Sequence, residues 1–246
     1  MMTSSSASTT VSDSRTESPS APSGMDWFLI AAIAGVIGAC VNVLLFTPSE
    51  LRQGLAQKIF YVHVPAAITG LYFSVIPMAI VSGLYLWLKD ERLDRIAESL
   101  AEVALVFVAV VLCTGPFWGK PIWGTYWQWE ARLTSTLFLS FVLIGYMVMR
   151  GAIEQPETRA RLSAIIGIMA GCLVPFIHLT VYMFTTLHPM PVVLTPNFTK
   201  QNLSPEMLRS FLYSLSAFLL LFVAMARNRY RWATERDRLQ VLEDQR

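Results

Sequence analysis

The chain has 246 residues, 54% of them hydrophobic and only 15% charged. A soluble domain carries roughly 25% charge, so the deficit excludes an ordinary water-soluble globule and indicates a polytopic membrane protein. The formal net charge of +2 is too small to point to nucleic acid as a partner.

Residues 1–24 are Ser, Thr and Pro with scattered charge. Such a segment cannot bury enough apolar surface to order itself and is expected to be a disordered tail. Trp27 to Phe46 follows as an uncharged apolar run. It lacks the basic start and small-residue cleavage site of a signal peptide, and about 20 apolar residues suffice to cross a bilayer, so it reads as an uncleaved first span. Five more spans are expected at about Tyr61–Leu88, Ala101–Phe117, Leu133–Met149, Leu162–Leu187 and Ser210–Ala226. The third and fourth are short. Pro65, Pro77 and Pro175 fall inside spans and predict kinks. Residues 25–226 thus form one all-α, six-span domain, and residues 227–246 a charged tail expected to be a solvated helix. Cys40, Cys113 and Cys172 lie inside apolar runs and are expected to be small buried hydrophobes.

Six spans place the N-terminus, the second and fourth connections and the C-terminus on one side. That side carries thirteen Lys and Arg against six on the other. The positive-inside rule makes the basic side cytoplasmic, with both termini there. The connection between spans three and four, 118–135, then faces outward. It holds four of the seven tryptophans, Trp118, Trp123, Trp127 and Trp129, with Tyr126, Lys120, Glu130 and Arg132, and Gly119 and Gly124 loosen its backbone. One reading is an interfacial aromatic belt; the other is a platform for a large, flat, apolar ligand with a charged edge.

The histidines favour the platform. His63 sits at the outer start of span two, and His188 at the outer end of span five, where Pro189 and Pro191 stop the helix. Both fall on the face of the Trp-rich connection. His178 lies ten residues before His188, about 15 Å deeper at 1.5 Å per residue, and is expected to be a hydrogen-bonded core residue. Two neutral imidazoles are a standard axial pair for haem iron; Arg132 and Lys120 suit its propionates. Glu50, Glu91, Glu98 and Glu102 are isolated acids near span ends, expected to be solvated or interfacial. No Walker loop, H-E-x-x-H, G-x-S-x-G or dinucleotide fingerprint occurs, and no C-x-x-C-H that would hold covalent c-type haem.

The run from Trp123 through Trp127, Trp129, Glu130 and Arg132 to Ser135 resembles the tryptophan-rich WWD signature of haem-handling proteins in cytochrome c biogenesis. Six spans, with the signature between the third and fourth and one histidine on each flanking outer connection, are similar to the haem exporter protein C family. Tyr126 and Glu130 depart from that signature, which usually has Trp and Asp there. The resemblance implies a non-enzymatic protein of the bacterial inner membrane that binds haem b as cargo on its periplasmic face. His63 and His188 would be the axial iron ligands. Trp118, Trp123, Tyr126, Trp127, Trp129, Lys120, Glu130 and Arg132 would form the rest of the site. It implies as partners a membrane-tethered haem chaperone, ATP-binding-cassette (ABC) transporter subunits, a small single-span subunit and membrane lipid. A haem permease, and a haem-containing membrane oxidoreductase, are the alternatives; a haem lyase subunit would be a longer chain with more spans.

Overall fold

The computed structural model describes residues 25–189 and 203–245. The N-terminal tail, Pro191 and Lys200 lie outside those residues. Asp26 opens the first helix, α1 (Trp27–Phe46), where its carboxylate accepts from the backbone N–H groups of Phe28 and Leu29 at 3.1 and 3.2 Å. A 3₁₀ turn, Leu55–Ile59, leads into α2 (Phe60–Ile68), a π-helical segment (Thr69–Val75) and α3 (Ile76–Leu88), which together make the second apolar rod. Pro77 has no N–H for the carbonyl of Phe73, four residues back. The wider register absorbs this defect: Ile76 N–H reaches back five residues to Leu71 O.

The remaining helices among the described residues are α4 (Glu91–Trp123), α5 (Ala131–Ala152), α6 (Pro156–Met183) and α7 (Pro205–Asp244). Among the described residues, six helical rods are long and apolar enough to cross a membrane, as expected. Two boundaries differ instructively. The third rod begins ten residues before the expected Ala101 and ends six beyond Phe117, so Trp118, Lys120 and Trp123 belong to α4. Charged and aromatic residues at its ends hid its length. The fifth rod stops at Met183, short of Leu187, which leaves His188 on non-helical backbone. The charged tail continues α7 without a break.

α4 is the hub. It touches α2, α3, α5, α6 and α7, and its buried stripe of Ala97, Leu100, Ala101, Ala104 and Val108 lies in the main apolar core with Val75, Met78, Leu139 and Leu143. Elsewhere small residues let helices close up. A Cβ on Gly38 of α1 would lie 2.6 Å from the Tyr213 hydroxyl of α7, and one on Gly171 of α6 would lie 2.2 Å from Cβ of Ala79 on α3.

One expectation is overturned at the end of the bundle remote from His63. Glu98 is neither solvated nor interfacial but 5% exposed. It accepts from Arg150 of α5 at 2.9 Å and from both terminal nitrogens of Arg236 of α7 at 2.7 and 2.9 Å. Arg150 also grips Asp94 with two bonds of 2.7 and 2.9 Å, and Glu102 pairs with Arg229. These arginines lie 52 or more residues from their acids, so no local spacing reveals them. The cysteines differ too. All three are free, with Cys113 and Cys172 on exposed faces and Cys40 half-buried. A small apolar side chain facing lipid has no drive toward the core.

Replacing Gly171 by leucine should cost about 1–3 kcal/mol, as overpacking does, and lower the melting temperature in detergent. Gly145→Ala, where nothing lies within 4 Å of a new Cβ, should not lower it.

Candidate functional site

A cavity of about 460 Å³ opens at the end of the bundle that carries His63. Its walls come from the 50–57 segment, α2, the π segment, α4, α5, α6, the 187–189 backbone and the start of α7. His63, His188, Arg132, Trp118, Trp123 and Trp127, all picked out in the sequence, line this one cavity.

His63 is 9% exposed. Its Nδ1 lies 2.9 Å from Thr114 Oγ1, and that hydroxyl is 2.7 Å from Val110 O. A carbonyl can only accept, so the hydroxyl proton goes to Val110 and the threonine oxygen accepts from His63 Nδ1–H. Thr114 thereby fixes the tautomer and leaves Nε2 of His63 with its lone pair. Gly115 makes room, since a Cβ there would stand 3.4 Å from Cε1 of the ring. Trp118 packs edge-on against the imidazole at 5.5 Å between centroids, held by its own Nε1–H donating to Gln53 Oε1 at 3.0 Å.

His188 reaches the same state by another route. Its Nδ1 lies 2.9 Å from Pro189 O and donates to it, so Nε2 again keeps a lone pair. Burial first, then the charge of Arg132, pushes its pKa down to about 3. His188 is therefore neutral at pH 7. The segment that carries it is tied to the α4–α5 connection: Leu187 N–H donates to Glu130 Oε2 at 2.7 Å.

The aromatic residues divide into two groups. Trp118, Trp123 and Trp127 line the cavity; Tyr126 and Trp129 do not, and Trp129 is 78% exposed. Trp123 folds back over Gly119, where any Cβ would meet the indole at 2.8 Å, and Gly124 closes α4 in the left-handed conformation at φ 79°. Trp127 stacks edge-on with Trp129 at 5.7 Å. Lys120 also stays outside the lining. Its ammonium donates to Gly124 O at 2.9 Å and lies 5.2 Å from the Tyr126 ring centre. Glu130 is likewise not a lining residue.

Arg132 differs from Lys120. Its Nη1 is buried with no hydrogen-bond partner among the described residues, as is Nε1 of Trp127. Two idle donors in the walls call for an acceptor from a ligand. Two imidazole lone pairs, indole walls and a free guanidinium suit a flat, apolar, metal-bearing ligand with an anionic edge.

His178 forms the expected hydrogen bond, its Nδ1 lying 2.7 Å from Tyr72 OH, but it is a half-buried residue of the cavity lining and not a core residue. Thr114, Gly115, Gln53 and Tyr72 went unmarked in the sequence. The only available signal was Thr114-Gly115-Pro116, a polar and flexible interruption of an apolar run.

A family profile described as heme exporter protein C matches residues 9–244. The heme exporter protein C of Escherichia coli is 32% identical over 207 residues, covering 83% of this chain and 81% of the relative. That of Rhodobacter capsulatus is 29% identical over 221 residues, 89% of this chain and 90% of the relative. A putative cytochrome c biosynthesis ccmC-like mitochondrial protein of Marchantia polymorpha is 37% identical over 165 residues, 67% of each chain.

The His188 ring should remain neutral from pH 8 down to about pH 4 in histidine-labelled NMR spectra. An unperturbed imidazole would instead pick up its proton near pH 6.5. A transition of His188 between pH 6 and 7 would contradict the burial described here.

Proposed function

The chain belongs to the heme exporter protein C family, and on that footing we propose that it holds haem as cargo in the His63–His188 cavity and hands it on for cytochrome c maturation. The observation that carries this reading is the pair of histidines lining one cavity, each with Nδ1 committed and Nε2 free. Neutral imidazole nitrogens are what haem iron takes as axial ligands. Trp118, Trp123 and Trp127 would lie along the macrocycle. Arg132, idle and buried, would pair with a propionate through a charge-assisted bond. Tyr126, Trp129 and Lys120 would anchor and cap the connection at headgroup level.

Holding and release, with no chemical change to the cargo, is the role the site suits, so the chain is read as a carrier and not an enzyme. The cargo is haem b, and the receiver is a membrane-tethered haem chaperone. ABC transporter subunits and a small single-span subunit complete the system. The Lys and Arg distribution supports a bacterial inner-membrane setting with both termini cytoplasmic and the cavity facing the periplasm. A second reading, passage of haem through the bilayer, draws on the deeper Tyr72–His178 pair in the same cavity wall.

Purified protein should show the low-spin spectrum of haem with two nitrogen ligands. His63→Ala and His188→Ala should each lose it and become high-spin, with exogenous imidazole restoring it. Arg132→Gln should keep the low-spin spectrum but bind more weakly, by roughly tenfold, as loss of one charge-assisted bond predicts. Unchanged spectra in both histidine variants would sink the ligation. Loss of the low-spin form in His178→Ala alone would favour passage through the bilayer.

A further inference from the structure

Glu130 occupies the N-cap position of α5, with extended backbone at φ −99° and ψ 162°, yet its side chain makes no capping bond there. The carboxylate instead crosses to the backbone beyond α6, where Oε2 accepts from Leu187 N–H at 2.7 Å. The last helical bond of α6 runs from Phe184 N to Thr180 O. After that, among the described residues, His188 has a bond of 3.1 Å from its own N–H to Thr186 Oγ1, two residues away, and the ring bond to Pro189. Those contacts shape the local turn. Among the described residues, the bond from Leu187 to Glu130 is the hydrogen bond that ties this turn to another element. The element it reaches is the 124–130 connection that carries Trp127.

We propose that Glu130 is a positioning residue. It straps the backbone beside His188 to the aromatic connection, so that the axial imidazole and the Trp127 wall are set as one unit. Its carboxylate is not among the cavity-lining groups, so it acts through Leu187 and not on the cargo. Acceptance of an N–H requires an oxygen at the right reach and does not require the negative charge. A glutamine can do it; an aspartate, one methylene shorter, reaches less far.

This inference builds on His188 as an iron ligand, but its first test needs no haem. In the protein without haem, hydrogen exchange of the Leu187 amide should be slow in the wild type and in Glu130→Gln. It should be faster by on the order of tenfold or more in Glu130→Ala and Glu130→Asp. With haem, wild type and Glu130→Gln should be low-spin. The Ala and Asp variants should retain haem through His63 with a large high-spin fraction that added imidazole converts. Equal exchange in all four proteins would overturn the strap. Loss of the low-spin form in Glu130→Gln with Leu187 still protected would overturn it too, by assigning Glu130 a direct electrostatic role. Should Glu130→Ala fail to fold, the Gln and Asp pair decides between the same outcomes. A wild type that binds no haem while its Leu187 is protected would refute the proposed cargo and leave the strap standing.

Discussion

Two carboxylates on α4, Glu98 buried and Asp94 half-buried, hold the bundle together at its far end. Asp94 and Glu98 receive Arg150 from α5, and Glu98 also receives Arg236 from α7. Charges withdrawn from water are tolerated only when partnered, and removing one partner of such a set costs about 3–5 kcal/mol. α4, α5 and α7 are thereby fixed in register. The other ends of those helices are then free of that duty, and they line the cavity.

The contrast along α5 expresses the division. Arg150 has both terminal nitrogens bonded to acids, whereas Arg132, on the same helix, keeps Nη1 buried and idle. A buried donor without an acceptor is destabilising by about 1–3 kcal/mol. Arg150 keeps only Nε unpartnered while its terminal nitrogens are held by acids; Arg132 presents its unpartnered terminal nitrogen at the cavity wall. The histidines follow the same logic: one nitrogen of each ring is spent on the protein, on Thr114 or on the Pro189 carbonyl, and the other is kept.

Much of the architecture was legible because hydropathy distinguishes lipid from water. The six rods, their order and the shared face of His63 and His188 all come from apolar runs and from where Lys and Arg fall. Which side of a helix turns inward was not legible, since in lipid both sides are apolar. That is why Cys113 and Cys172 were placed in the core and why Thr114 and Gly115 passed unnoticed. Charge marks span ends, so α4 looked shorter than it is, and Glu98 looked solvated until arginines from two other helices met it. Among the aromatic residues, only folding back over Gly119 and the cap at Gly124 decides that Trp123 and Trp127 turn inward while Trp129 turns out.

The π segment before Pro77 has a consequence of phase. One residue beyond an α-helical count rotates everything after it by about 100° around the axis, the angle of a single residue. Gly70, Leu71 and Tyr72 face the cavity, while Met78, Ser82 and Tyr85 of α3 are buried on the other side of that offset. The second rod is thus two helical faces spliced at an angle, one lining the cavity and one packed in the bundle. A single-residue deletion between 69 and 75 would restore the α-helical count ahead of Pro77 and bring the two faces into a phase in which they could not both be used.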